Sequence, residues 1–241
     1  MEKHVLITVP TVRSMVWCEH SQAVGELIQL FAKNGVDVSY THASFADIGL
    51  CRDIIASRFL AHPQASHLLM IDDDIAFDPL DILSLLRANR PVASLLAPLR
   101  SVDWNWDRPT PSEVGLPRSQ IVDFYTIPNH KQMLPAGTLQ KTDFAAPAIM
   151  LIQRSALESM VNKGIAQRYQ AKGFQAAGSA PEGLYNFFSH DPENSADRIL
   201  AEDSQFALRC KKANIAMSIL HTYSVRHHGS WAYRLYPPPS Q

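Results

Sequence analysis

Three consecutive carboxylates, Asp72, Asp73 and Asp74, follow directly on the apolar run His67-Leu68-Leu69-Met70-Ile71. The run reads as a central buried strand, and the carboxyl end of such a strand is where open α/β sheets place their ligands. Three like charges packed together are costly unless a cation sits among them. Mg²⁺ and Mn²⁺ prefer carboxylate oxygen and bridge readily to phosphate, so the triplet suits a metal–diphosphate site. In an extended segment Asp72 and Asp74 would face one way and Asp73 the other. An acidic, solvated strand end is the plainer alternative.

Other groups could also do chemistry. Glu202-Asp203 opens an amphipathic stretch; acids in a first helical turn gain about 0.3–1 kcal/mol from the helix dipole alone, yet a carboxylate beside a bound donor can also take a proton from a hydroxyl. His227-His228 follows the apolar run from Ile219 to Val225. Neutral imidazole is a competent metal ligand, and neighbours on a strand face opposite ways, so only one of the two should reach a given site. A structural histidine is the alternative. Arg52 carries a planar guanidinium suited to phosphate, or else simply pairs with Asp53. Trp104, Trp106 and Trp231 fall in or beside predicted loops, where aromatic faces support sugar rings as well as ordinary packing.

Positioning these groups requires alternating elements. Val5 to Val9 reads as a first buried strand broken by Pro10-Thr11. A helix follows from a Ser21 cap, with Val24, Leu27, Ile28 and Phe31 on one face and a stop at Asn34-Gly35. Val36, Val38 and Tyr40 alternate as a second strand. A second helix is expected from about Gly49 to His62, then the acidic strand. Asp78-Pro79 starts a third helix by N-cap and first-turn proline, and Val92 to Leu96 is the next strand. Residues 98 to 120 read as a long loop that could cover a ligand. Ile121 to Ile127, Thr138 to Ile152 and Ile219 to Val225 read as strands. Ser155-Ala156-Leu157-Glu158 reads as a capping box, and the helix opened by Glu202-Asp203 should turn Phe206 and Cys210 inward and Arg209 outward. The pattern is a doubly wound α/β fold with helices on both faces, in one domain over 1–241 whose strand–helix alternation is clearest over 1–97 and changes over 98–234, with an extended tail (235–241).

The 241 residues carry a net charge of −1, so no global field draws the chain to nucleic acid or anionic lipid, although Arg100, Arg108, Arg118 and Lys131 could form a local patch. Cys18, Cys51 and Cys210 form no CxxC pair and read as reduced thiols of a cytoplasmic-type compartment. No signal peptide or membrane-spanning run is recognisable. The absence of G-x-G-x-x-G and Walker sequences argues against dinucleotide and P-loop enzymes.

Taken in order, Pro10-Thr11, Cys51-Arg52-Asp53, Leu69-Met70-Ile71-Asp72-Asp73-Asp74-Ile75, Ala201-Glu202-Asp203 through Arg209, and His227-His228-Gly229 resemble the GT-A fold nucleotide-sugar glycosyltransferases, most closely the family-2-like group. The resemblance implies a Rossmann-like mixed sheet with a nucleotide-binding half (1–97) and an acceptor-binding half (98–234), and identifies Asp72-Asp73-Asp74 with the DxD motif. Asp74, helped by Asp72, would hold Mn²⁺ or Mg²⁺ against the diphosphate of a nucleoside-diphosphate sugar, with a UDP-sugar the expected donor, and His227 or His228 would complete the metal shell. It further implies Asp203 as the base of an inverting displacement, supported by Glu202. Pro10, Thr11, Arg13, Arg52, Asp72 and Asp73 would contact the nucleotide or donor, and Asp143 the donor sugar or acceptor. Acceptor contacts would come from Trp104, Trp106 or Trp231. The family often has glycine where this chain has Ala145-Ala146. The acceptor hydroxyl stays open among glycans, small molecules, proteins and modified DNA bases. Two other readings are a sugar-1-phosphate nucleotidylyltransferase, whose glycine-rich loop is missing after the first strand, and a non-catalytic nucleotide-sugar-binding module.

Overall fold

The computed structural model describes residues 3–12, 14–102, 122–124, 134–169, 183–189, 200–229 and 232–235. Arg13, Trp104, Trp106 and Trp231 lie outside these residues, as does the 98–120 segment from residue 103 onward. The chain runs β1 (His4–Thr11), α1 (Cys18–Lys33), β2 (Asp37–Ser44), α2 (Ile48–Ala61), β3 (His67–Ile71), β4 (Ile75–Ala76), α3 (Pro79–Ala88), β5 (Val92–Leu95), β6 (Pro98–Val102) and β7 (Val122–Phe124). It continues with β8 (Leu139–Thr142), β9 (Ile149–Gln153), α4 (Arg154–Asn162), β10 (Arg168–Tyr169), β11 (Leu184–Tyr185), α5 (Glu202–Ala213), β12 (Met217–Leu220), β13 (Arg226–His228) and β14 (Ala232–Arg234).

Seven strands form the central sheet in the order β2-β1-β3-β9-β5-β12-β8. The pairs β2/β1, β1/β3 and β5/β12 are parallel, whereas β9 runs antiparallel to both β3 and β5, and β8 antiparallel to β12. The fold is thus α/β with a mixed sheet and helices on both faces, as the sequence predicts. Strand β3 shows why: Leu68 and Met70 enter the core layer shared with α2, α4 and α5, while Leu69 and Ile71 enter the layer shared with α1 and α3. A strand buried on both faces needs an apolar residue at successive positions, which is the pattern of 68–71.

Several local expectations are corrected. Thr138 to Ile152 is not one strand: β8 lies at the sheet edge and β9 at its centre, with Pro147, which cannot donate to a ladder, in the crossing between them. Strand β12 stops at Leu220 because Thr222 and Ser224 turn to donate to Asp81. Helix α1 begins at Cys18, ahead of Ser21. Helix α4 starts at Arg154 and Ser155 does not cap it; instead the Arg154 guanidinium closes the end of α2, donating to the carbonyls of Ala65 and Phe59 at 2.8 Å each and packing over the Phe59 ring. Arg209 is buried, donating to the carbonyls of Phe187 and Ser189 at 3.1 and 2.9 Å. The Asp78 cap of α3, with Pro79 behind it, stands as read.

Candidate active site

Strand β3 ends at Ile71, and the three aspartates form a turn: the Ile75 amide donates to the Asp72 carbonyl at 3.2 Å, and the Asp72 amide to the Ala148 carbonyl of the crossing into β9. The two-residue alternation expected of an extended segment therefore does not apply, and Asp72, Asp73 and Asp74 all line one cavity of about 1010 Å³. Pro10, Arg52, Arg100, Glu202, Asp203 and His227 share that lining, so the cavity joins residues from both halves of the chain.

Each carboxylate has its own partners. Asp72 accepts from Arg52 Nη2 at 2.7 Å, while Arg52 Nη1 reaches Glu202 at 2.5 Å. Arg52 is buried, so one guanidinium fork ties the strand tip to the start of α5. Asp53 is not its partner. Helix α2 and α5 come this close because residue 49 is glycine: a Cβ there would lie 3.3 Å from the Glu202 Cβ. Asp73 accepts from the Thr11 hydroxyl at 2.6 Å, and its carbonyl accepts from the Trp17 amide, fixing the segment that leaves β1. Asp74 pairs with Arg100 at 2.9 Å and faces His227 Nε2 at 3.3 Å. Burial alone would raise the Asp74 carboxyl, but His227 and Arg100 outweigh it and hold it below the ordinary range.

The His227 ring is oriented from behind. Its Nδ1 lies 2.8 Å from the Pro98 carbonyl, which can only accept, so Nδ1 carries a proton. Nε2 is then the nitrogen that faces the Asp74 carboxylate, donating to it whenever the ring carries its second proton. A backbone carbonyl behind the ring orients it in the way metal-ligating histidines are oriented, and an ordinary His–Asp pair looks the same. His228 points elsewhere: its amide donates to the Asp74 carbonyl at 2.8 Å, its ring stacks on Trp17 with centroids 5.3 Å apart, and its Nε2 has no hydrogen-bond partner. The two rings thus have different partners, although both residues line the cavity and not one alone as expected. Among the described residues no three His, Cys, Asp or Glu are gathered to hold a metal by themselves. The donor chemistry of Asp74 and His227 fits Mn²⁺ or Mg²⁺ if phosphate oxygens and water supply the rest, the usual state of affairs for Mg²⁺ at phosphate sites.

Asp203 stands in the first turn of α5, where its Oδ1 accepts from the Ser204 amide at 2.5 Å and the Ser204 hydroxyl at 3.2 Å. Burial, and then the charge of Glu202, raise its carboxyl above the ordinary range, which makes it a stronger proton acceptor. Glu202 acts on Asp203 through this charge, its own oxygen being committed to Arg52. Asp143 is exposed at the end of β8 and is not among the residues of the cavity wall. Arg100 and Trp17 are among the cavity residues that the sequence does not single out; the approach of Gly229, where a Cβ would lie 3.3 Å from the Arg100 side chain, leaves no pattern in the sequence.

Asp53, wholly buried behind this row, accepts from the Phe188 amide at 2.6 Å, the Tyr169 hydroxyl at 3.0 Å and the Ser189 hydroxyl. Burial outweighs these donors and pushes its carboxyl up to about 6. Between its ordinary value near 4 and about 6, the folded chain keeps a proton that the unfolded chain has lost, so stability from this group falls as pH rises through that window. The span corresponds to roughly 2–3 kcal/mol. Melting Asp53→Asn from pH 4 to 7 should give a shallower decline than the native chain, and parallel profiles would refute the assignment.

No family model matches the sequence, and no curated protein matches it either. Among solved structures the chain is similar to A197 from STIV, at 13% identity and a TM-score of 0.48, over 95% of this chain and 86% of that one. It is similar also to 4-diphosphocytidyl-2C-methyl-D-erythritol synthase from Anaerococcus prevotii, at 9% identity and a TM-score of 0.41, over 91% and 89% of the two chains. A glycosyltransferase involved in the glycosylation of the major capsid of PBCV-1 matches at 11% identity and a TM-score of 0.33, over 64% of this chain and 62% of its own.

Proposed function

We propose that the chain is a metal-dependent GT-A glycosyltransferase that moves a sugar from a nucleoside-diphosphate sugar, a UDP-sugar being the expected donor, to an acceptor hydroxyl with inversion. The observation that carries this reading is a single cavity in which Asp74 faces an oriented His227 while the carboxyl of Asp203 is raised above its ordinary range, burial and the Glu202 charge outweighing the more distant Arg52. Asp74 and His227 would hold a divalent cation, which when bound neutralises charge on the leaving diphosphate.

The chain's own groups do the remainder. Arg100, more than half exposed and now resting on Asp74, is free to turn its guanidinium to a diphosphate oxygen. Arg52 keeps Asp72 and Glu202 in place, so that the strand tip and the first turn of α5 hold a constant separation. Asp203 takes the acceptor proton as the acceptor oxygen bonds to the anomeric carbon from one side, and the bond to the diphosphate oxygen breaks on the other, its electron pair leaving with the diphosphate.

Calorimetry tests the reading. UDP should bind on the order of tenfold more tightly with Mn²⁺ than with EDTA, and Asp74→Asn should remove that difference. Equal affinity in both conditions would sink it. Pyrophosphate release from a nucleoside triphosphate and a sugar 1-phosphate would favour a nucleotidylyltransferase instead.

A further inference from the structure

The three carboxylates at the tip of β3 are matched in three different ways. Arg52, only 3% exposed, forks across Asp72 and Glu202, and Asp73 accepts from the Thr11 hydroxyl. Asp74 instead meets a solvated cation: the Arg100 side chain is 55% exposed and touches Oδ2 through one nitrogen, Nη1, at 2.9 Å. Letting go of Arg52 would strand two acids around a buried position. Letting go of Arg100 costs little, because an exposed pair held at one point is weak and the freed side chain regains rotamers.

The fold nonetheless aims Arg100 at this carboxylate. Strand β6, which carries it, begins at Pro98, and the Pro98 carbonyl accepts from His227 Nδ1 at 2.8 Å. Gly229, two positions beyond His227, makes room for the stem: a Cβ there would lie 3.3 Å from Arg100 Cδ and 3.9 Å from its Cγ. His227 Nε2 faces the other Asp74 oxygen, Oδ1, at 3.3 Å. One carboxylate thus stands between an imidazole fixed from behind and a guanidinium that can swing away.

A divalent cation on Asp74 would share that carboxylate with the guanidinium, and like charges within a few ångströms repel even where water reaches them. A diphosphate changes the balance. Its oxygens accept from a planar guanidinium as a fork, and they bridge readily to hard cations. We propose that Arg100 is a displaceable counter-ion of Asp74: it competes with the divalent cation until a diphosphate draws the guanidinium off, so cation and diphosphate each strengthen the other's binding. This rests on the transferase reading for the cation at Asp74 and adds the coupling between its two ligands. By linkage the strengthening is the same factor in both directions. The cation alone is then held weakly, and the site fills when a diphosphate is present.

Manganese binding to the full chain, followed by the electron paramagnetic resonance of free Mn²⁺, tests this without any sugar transfer. In the absence of nucleotide, Arg100→Gln should hold Mn²⁺ about fivefold more tightly than the native chain. Arg100→Lys, which keeps a cation beside Asp74, should stay near native. UDP, after correction for the Mn²⁺ it binds by itself, should tighten Mn²⁺ by a larger factor in the native chain than in Arg100→Gln. Adding Asp74→Asn to Arg100→Gln should remove the gain. The proposal is overturned if Arg100→Gln binds Mn²⁺ no more tightly than native while UDP still tightens Mn²⁺ equally in both, an outcome that leaves the transferase reading standing. It is overturned also if the double variant keeps the gain, which would place the cation away from Asp74. Mn²⁺ held by none of these chains, with or without UDP, would overturn the proposal and the transferase reading together.

Discussion

Arg52→Met should melt well below the native chain and bind UDP with Mn²⁺ poorly. The guanidinium is buried and is the partner of two carboxylates that are themselves only about a quarter exposed, Asp72 at 2.7 Å and Glu202 at 2.5 Å. Removing the cation from a buried ion triad leaves two uncompensated charges, which costs about 3 kcal/mol or more. For a chain of this size that corresponds to a drop of roughly 6–12 °C in melting temperature. Methionine approximates the volume of the arginine stem, so the loss reports charge more than a cavity. Arg52→Lys should fall between the two, because an ammonium keeps the charge but lacks the fork that spans both carboxylates. The loss of UDP affinity follows from geometry: without the fork Asp72 is repelled by Asp74 on the same turn, and the strand tip no longer keeps its distance from α5. A melting temperature within 2–3 °C of native, about 1 kcal/mol, would show that the triad is not what holds these elements together.

This prediction also marks how far local patterns reach. The strand tip was legible because a strand buried on both faces writes its burial into every residue from His67 to Ile71, and because an acidic triplet after it has few inexpensive explanations. The α3 start was legible because Asp78 and Pro79 each act within one turn. That His227 and His228 take different partners needed only the two-residue period of a strand. Partners distant in sequence were not legible. Arg52 is 20 residues from Asp72 and 150 from Glu202, and its nearest acid, Asp53, turns out to hold Phe188 and Ser189 instead. Arg209 looked like a solvated cation on an amphipathic helix; the carbonyls of Phe187 and Ser189 that draw it inward belong to another segment. The insertion of β9 between β3 and β5 escaped for the same reason, since an apolar run reports burial without naming its neighbours. The turn at Asp72–Asp74 depends on the Ala148 carbonyl, which arrives only with that insertion.

Asp203→Asn should lower sugar transfer by about a thousandfold, within the range of 10² to 10⁴ for loss of a positioned base, while changing UDP affinity little. Asparagine retains an Oδ1 able to accept from the Ser204 amide and hydroxyl, so the first turn of α5 keeps its local hydrogen bonds and the substitution isolates proton transfer. The pH profile separates this from a structural effect. Burial and the neighbouring Glu202 charge raise the Asp203 carboxyl, and a base works only when deprotonated, so the native rate should decline on the acid side at a pH above the usual carboxylate range. That acid limb should be missing from the residual activity of Asp203→Asn. Glu202→Gln offers the contrast. It leaves Arg52 with one carboxylate, so it should lower stability, and by removing the charge that raises Asp203 it should shift the acid limb toward lower pH without abolishing the rate. Product anomeric configuration by NMR completes the argument, since retention would require Asp203 to orient substrate and not to deprotonate it. An Asp203→Asn enzyme with near-native turnover would remove this carboxylate as the base and leave the cavity in need of another proton acceptor.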